Sequence, residues 1–393
     1  MEKMRIQTTR PRPALCPVFG ACGGCSFQDV PYAEQVEAKK NSILSGFLRQ
    51  KLTLPAEVNV ETGPEYGYRN RMDFVFCPEG LGQKRKQRFD QVVPFESCPI
   101  SNPVINDAIA EINAWFRTEK KSLDVFRLVE RTGTLSYATI RASLFSRDSC
   151  VTFILNADSL RVSEHEELIR RFSEKTGIPN ILTGYVPQKS SMSITDQYRI
   201  VKGRDVLYEV LFDKRFWYHS QGFFQNNSRV TEKMIEFASD CLGDKADVLV
   251  DLYGGVGTFG ISLHDKASEV VIIENNGKST DCAAMNLREN ALANARIMNH
   301  QAEELAVSGL TLGGRSVFVV DPPRPGLHKK TIKFIKASRP ERIVYVSCNP
   351  AKQAEDIFNL QPEYRMTALR LFDMFPQTPH CESVALLEQN KSS

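Results

Sequence analysis

The apolar run Ile343-Val344-Tyr345-Val346 ends abruptly in Ser347-Cys348-Asn349-Pro350. A thiol at such a strand end, with a helix starting at the following proline, can have its thiolate stabilised by the helix terminus. Cys348 is therefore the candidate nucleophile, although an isolated cysteine in this setting is ordinarily a small buried hydrophobe. Val317–Val320 ends in the same way, in Asp321-Pro322-Pro323-Arg324-Pro325-Gly326. Two consecutive prolines cannot continue a central strand, so Asp321 is left at the sheet edge, either as a working carboxylate or as a turn cap. The last such segment is Phe372 to Glu382, leading into an apolar run over Ser383–Leu387. Glu382 is the candidate general base, His380 its orienter, and Cys381 a packing residue. One cysteine and one carboxylate are the minimal set for alkylating a pyrimidine at carbon 5. Thiolate addition at carbon 6 makes carbon 5 nucleophilic, and a base then removes the carbon-5 proton so that the thiol can leave.

A second group of residues could hold the alkyl donor. Asp251-Leu252-Tyr253-Gly254-Gly255-Val256-Gly257-Thr258-Phe259-Gly260 follows a short apolar run and opens a helix, and Glu274 ends the next run. Glycines allow close approach to a ligand at the carboxyl end of a strand, and a carboxylate at Glu274 suits ribose hydroxyls. Gly255, Gly257 and Gly260 also fit the dinucleotide spacing, so a nicotinamide enzyme and a methyl-donor enzyme both remain open at this point. Asp321-Pro322-Pro323 resembles turns of amino-group methyltransferases, but Arg324 stands where an aromatic would stack on the base.

Ten cysteines are present. Cys77, Cys150, Cys241 and Cys282 sit singly in mixed or apolar contexts and read as packing residues. Cys16, Cys22 and Cys25 form a clustered array, with Cys98 as a plausible fourth ligand. The spacing admits an iron–sulfur cluster, a zinc ion or unliganded thiols. No accompanying redox motif is evident, which favours a structural or RNA-positioning role over electron transfer. The run Gln83-Lys84-Arg85-Lys86-Gln87-Arg88 reads as a positive loop between strands, suited to phosphate or simply solvated.

The elements that must position these residues fall into two regions. Residues ~66–212 read as short strands and a few helices, for instance Met72–Phe76, Leu135–Arg141 and Cys150–Leu155, an α+β region. From about residue 213, all-apolar runs at 248–251, 270–273, 317–320 and 343–346 alternate with helical segments such as Ser279–Leu292. That rhythm predicts a doubly wound α/β domain with buried parallel strands. A chain of 393 residues accommodates both, and 42% hydrophobic with 25% charged residues is an ordinary globular balance. The net charge of +3 is too small to prove a nucleic-acid partner. No run approaches the ~20 apolar residues of a membrane span, and the N-terminus lacks a signal-peptide core. A cytoplasmic monomer that contacts no membrane is expected.

Taken together, Cys16–Gln28, Gln221–Asn227, Asp251–Gly260, Asp321–Gly326, Val346–Pro350 and Leu371–Glu382 resemble the bacterial-type RNA uracil-C5 methyltransferases. The resemblance runs from Cys16 nearly to the end of the chain. It implies an S-adenosyl-L-methionine (SAM)-dependent enzyme of Rossmann-like α/β fold, with a central α+β domain carrying a 4Fe-4S cluster on Cys16, Cys22, Cys25 and Cys98. It implies that Gln225, Tyr253, Thr258, Glu274, Gln301 and Asp321 line the methyl-donor site, with Cys348 as nucleophile and Glu382 as base. The implied division is a flexible tail over 1–15, a central iron–sulfur/RNA-binding domain from 16–33 and 66–212, and a catalytic domain from 34–65 and 213–393. Members of this family often carry a cysteine at the place of Gly254, an exchange expected to be harmless. Fifteen residues before the first cluster cysteine cannot hold an RNA-binding barrel, which resembles the shorter 23S ribosomal RNA branch. That branch is the expected substrate class, with transfer RNA as the alternative because archaeal-type enzymes can also carry a cluster. The target uridine should be flipped out, against Phe223 or Phe224. A nicotinamide-dependent oxidoreductase and a non-catalytic RNA-binding protein are the rival classes. Cytosine-C5 enzymes are disfavoured because they use a second cysteine where Asp321-Pro322-Pro323 has none.

Overall fold

The structure is a computed structural model and describes residues 6–8, 10–307, 310 and 312–390. Met1–Arg5 and Thr9 of the expected tail lie outside the described residues. Within that stretch Arg12 is anchored: its amide donates to the Asp29 carbonyl at 2.9 Å and its guanidinium meets Glu65 at 2.6 Å.

Helix α1 (Tyr32–Arg49) and the short strand β1 (Asn59–Glu61) come first. Seven strands and two helices follow: β2 (Arg71–Cys77), β3 (Gly80–Arg85), β4 (Arg88–Pro94), α2 (Pro103–Glu119), β5 (Leu135–Ala142), β6 (Ser149–Asn156), α3 (Val162–Lys175), β7 (Asn180–Val186) and β8 (Tyr198–Lys202). They form one sheet in the order β4-β3-β2-β5-β6-β7-β8. Phe76, Phe153, Ile109, Ile112, Phe116 and Phe172 fill the core between this sheet and its helices. The basic run expected as a loop is instead a hairpin: β3 and β4 pair through Arg85 and Arg88, and only Lys86-Gln87 turns, with Gln87 at φ +64°. Its alternation is masked in the sequence because this edge is solvated and carries charge on both strands.

A hairpin, β9 (Val206–Leu211) and β10 (Lys214–His219), leads to α4 (Ser228–Leu242) and the α/β series. That series is β11 (Ala246–Leu252), α5 (Thr258–Ser262), β12 (Ala267–Glu274), α6 (Gly277–Glu289), β13 (Ala295–Asn299), β14 (Ser316–Val320), α7 (Lys329–Ser338), β15 (Arg342–Ser347), α8 (Pro350–Leu360), β16 (Tyr364–Phe372) and β17 (Glu382–Gln389). The sheet order is β1-β16-β17-β15-β14-β11-β12-β13, parallel throughout except for β17. Alternate residues of each inner strand enter opposite cores, which explains the unbroken apolar runs. Leu249, Val317 and Val344 pack with α4, and Val250, Phe318 and Ile343 pack with α7, α8 and Phe47 of α1. Asn349 caps α8, accepting from the Lys352 amide at 3.4 Å, and Pro350 occupies the first turn, where its missing N–H costs nothing. This is a doubly wound α/β sheet with one antiparallel strand inserted near its edge. Among the described residues no helix is long and apolar enough to cross a membrane.

Candidate active site

Strand direction assembles the site. β11, β12, β14 and β15 are parallel, so their carboxyl ends, followed by Tyr253, Glu274, Asp321 and Cys348, lie along one edge. β17 runs the other way, and its register pairs Ser383 with Ser347. Its first residue, Glu382, therefore comes to the same edge, opposite Cys348. The Asp321 amide bonds to the Leu252 carbonyl at 3.2 Å, which prolongs β14 beside the glycine loop.

Glu382 is buried, and its carboxyl is pushed up into the neutral range by loss of solvent, against the pull of the Arg324 guanidinium. Asp321, half-buried, is pushed up as well, first by loss of solvent and then by the charge of Glu382. Neighbouring carboxyls resist carrying two charges. The Cys348 thiol is also pushed up: burial leads, Glu382 and Asp321 add to it, and Arg324 opposes. The stabilised thiolate expected from the helix terminus is thus outweighed in the free protein. His380 lies exposed with its ring edge-on to Phe375, 6.3 Å between centroids, and local loss of solvent followed by Arg324, Lys39 and Arg69 pushes its imidazole below the usual range. Cys381 is buried, with its thiol directed to the Phe372 carbonyl at 3.2 Å.

The residues expected around the methyl donor converge on the same edge. Gln225 is buried and its side-chain amide donates to Asp321 at 3.2 Å. It is carried on a segment pinned between the two sheets, because Asn70 of the central region donates to the Gln225 carbonyl at 2.9 Å. Glu274 accepts from the amides of Gly255, Asn275 and Asn276 at 2.8–3.0 Å, so its carboxylate braces the glycine loop. Tyr253 takes a left-handed φ of +62°, Thr258 is buried at the start of α5, and Gln301 is exposed just beyond β13. Gly254 does not tolerate a side chain freely. A Cβ there would lie 2.6 Å from Ile272 Cγ2 and 3.0 Å from Asp251 Oδ2, so exchange for cysteine is not harmless in this chain.

Beside this edge opens a cleft of about 500 Å³, lined among others by Arg69, Arg71, Lys84, Arg141, Phe223 and Asn226. Phe223 is 61% exposed. Phe224 is buried and stacked on Tyr218 at 4.4 Å, so it is unavailable to a base. Arg141 is 2% exposed, donates once to the Gly222 carbonyl at 2.8 Å, and leaves Nε and Nη1 without a partner. Sequence reading missed Arg141, Arg69 and Arg71. The signal for Arg141 was an arginine inside a strand whose every position is buried.

Cys16, Cys22, Cys25 and Cys98 all line one small cavity with Val18, Phe19, Met72 and Ile100. The thiols of Cys16, Cys22 and Cys25 are pushed up by burial and by their neighbours, Cys98 included. The cysteine segment is held by the basic hairpin, with Gly23 donating to the Lys84 carbonyl and Lys86 to the Ala21 carbonyl at 2.8–2.9 Å. Among the described residues no group of three or more His, Cys, Asp or Glu side chains stands ready to hold a metal ion.

Residues 191–390 match the family model described as tRNA (uracil-5-)-methyltransferase. A tRNA (uracil(54)-C(5))-methyltransferase of Pyrococcus horikoshii is 32% identical over 95% of this chain and 85% of its own length. An uncharacterised RNA methyltransferase of Clostridium tetani is 31% identical over 96% of this chain and 84% of its own. The crystal structure of the Pyrococcus abyssi tRNA (uracil-54, C5)-methyltransferase with S-adenosyl-L-homocysteine superimposes with a TM-score of 0.76, at 28% identity over 93% of this chain and 86% of that one. A strand edge that gathers one cysteine, two carboxyls and a glycine loop agrees with these likenesses, and the chain belongs to the tRNA (uracil-5-)-methyltransferase family.

Proposed function

We propose that this protein methylates carbon 5 of a uridine in transfer RNA, with Cys348 as nucleophile and Glu382 as base. The observation that carries the reading is the antiparallel β17, whose register sets Glu382 opposite Cys348 while Asp321 enters from β14. SAM-dependent RNA uracil-C5 methylation is the activity of the family. Transfer RNA is preferred to the 23S ribosomal RNA expected from chain length because the characterised relatives at near-full coverage are named for it.

The Cys348 sulfur adds its electron pair to carbon 6 of the uracil, and the carbon 5–carbon 6 π pair moves toward carbon 5 and O4. Asp321, whose carboxyl is pushed up by loss of solvent, stands on the same edge to hydrogen-bond the uracil and hold it in register. SAM supplies an electrophilic methyl group. Gln225, Tyr253, Thr258, Glu274 and Gln301 seat that donor; the carbon-5 electron pair forms the bond to the methyl, the methyl–sulfur pair returns to the donor sulfur, and S-adenosyl-L-homocysteine leaves. Carbon 5 then carries both methyl and hydrogen. Glu382 takes the proton, the C–H pair re-forms the double bond, and Cys348 leaves as thiolate.

The cleft suits RNA. Phe223 offers a face for a flipped base, and the half-buried Arg69 and Lys84 offer cations for phosphate contact. That all four cysteines line one cavity supports the reading that they take a 4Fe-4S cluster. Such a cluster would be held by Cys16, Cys22, Cys25 and Cys98 and would cross-link their two chain segments. The division into a cluster-bearing central domain and a catalytic domain that includes residues 34–65 is part of the same proposal. The pairing of β1 with β16 supports it.

Unmodified transfer and ribosomal RNA tritiated at uracil carbon 5 provide the test. Tritium release from transfer RNA that is lost in Cys348→Ala is the expected result. Release from ribosomal RNA alone would move the substrate class, and release from neither would remove the carbon-5 reading.

A further inference from the structure

Glu382 opens β17, and the nine residues before it, Asp373–Cys381, connect it to β16. This connection is held mostly from outside itself. Its centre is Gln377, fully buried and at φ +70°, a backbone conformation that non-glycine residues adopt only when the surroundings impose it. The Gln377 carbonyl accepts from the amides of Ser26 and Phe27 at 2.8 and 3.1 Å, directly after Cys25. Its amide donates to Gln35 Oε1 at 3.1 Å, and its side-chain oxygen accepts from Gln35 Nε2 at 3.0 Å and Arg12 at 3.4 Å. Its side-chain nitrogen donates to Glu65 at 3.2 Å. Each polar group of Gln377 is thus engaged, and none of these partners belongs to the sheet that carries Cys348. Before it in the loop, Asp373 meets Lys39 at 2.7 Å and the Pro376 carbonyl accepts from Tyr68 at 2.9 Å.

We propose that Gln377 is a positioning residue for the proton-abstraction step, locking the Glu382 loop to the N-terminal cysteine segment and α1. The inference rests on the proposed role of Glu382 and adds to it. Proton removal from carbon 5 needs the carboxylate within hydrogen-bond reach of a hydrogen that exists only after methyl transfer. Thiolate addition and methyl transfer use Cys348 and the donor site, which lie on other strand ends. Loosening the Gln377 lock therefore slows the last step selectively, and the enzyme stalls as a methylated Cys348–RNA adduct.

The experiment uses the full chain, unmodified transfer RNA transcript and SAM with a ¹⁴C-labelled methyl group. Adduct is read on a denaturing gel and turnover as free methylated RNA. Gln377→Ala is expected to retain the first methyl transfer while turnover falls by about 10²-fold, the usual cost of misplacing a reacting group by ~1 Å. Labelled protein–RNA adduct should accumulate. Glu65→Ala, a half-exposed partner whose loss leaves the loop's backbone bonds in place, should show the same signature more weakly. It decides the matter if Gln377→Ala fails to bind SAM or to melt cooperatively. Wild-type turnover without adduct in either folded variant, or loss of methyl transfer and release together, would overturn the positioning role. Failure of the wild type itself to methylate any RNA would instead overturn the underlying function.

Discussion

At the scale of single residues, chemistry is decided by burial. Glu382 acts as a base only when ionised, and its carboxyl is raised toward neutrality by loss of solvent. Lowering the pH through that range protonates it, and the raised Cys348 thiol works in the same direction. The rate of methylated-RNA formation is therefore expected to fall about tenfold per pH unit below its acidic limb, with that limb near neutrality and not near the roughly 4.3 of a free glutamate. A turnover profile flat from pH 5 to 8 would contradict this. Gly254 gives a second expectation. The Cβ introduced by Gly254→Cys meets Ile272 and Asp251, and overpacking of this kind costs about 1–3 kcal/mol. Urea unfolding of the two proteins measures it, and an unchanged midpoint would show that the glycine loop yields.

At the scale of elements, α1 matters through one ion pair. Lys39 and Asp373 meet at 2.7 Å with both side chains fully buried, and Lys39 also donates to the Phe375 carbonyl at 3.1 Å. Lys39→Met would leave Asp373 without its counter-charge in a dry site. A loss of roughly 3–5 kcal/mol is expected from removing one partner of a buried pair. Thermal unfolding with and without Asp373→Asn in the same chain checks it: the second change should recover part of the loss. The pair could not be anticipated from the sequence, because its members lie more than 300 positions apart.

At the scale of the whole molecule, the basic cleft is lined by the central sheet and by Phe223, Phe224 and Asn226, whose segment also carries Gln225 to Asp321 on the active edge. Lys84→Met removes one half-buried cation from that cleft. Weaker binding of transfer RNA is expected, with the slope of log affinity against log salt reduced by about 1. An unchanged slope would place the phosphates elsewhere. Filter binding over a salt series distinguishes the two. Periodicity alone was enough to recognise the α/β series, because strands buried on both faces read as unbroken apolar runs whatever they pack against. The strand-end residues Cys348, Asp321 and Glu382 were recognisable for a related reason: each stands where an apolar run breaks. Three things were decided only by tertiary structure. The insertion of β17 against its neighbours sets Glu382 beside Cys348. The meeting of five chain segments at Gln377 holds the loop of Glu382. The burial of Arg141 with two N–H groups free, and of Phe224 but not Phe223, shapes the cleft. Each depends on contacts between distant positions and on the side of a strand that faces solvent, which local composition does not encode.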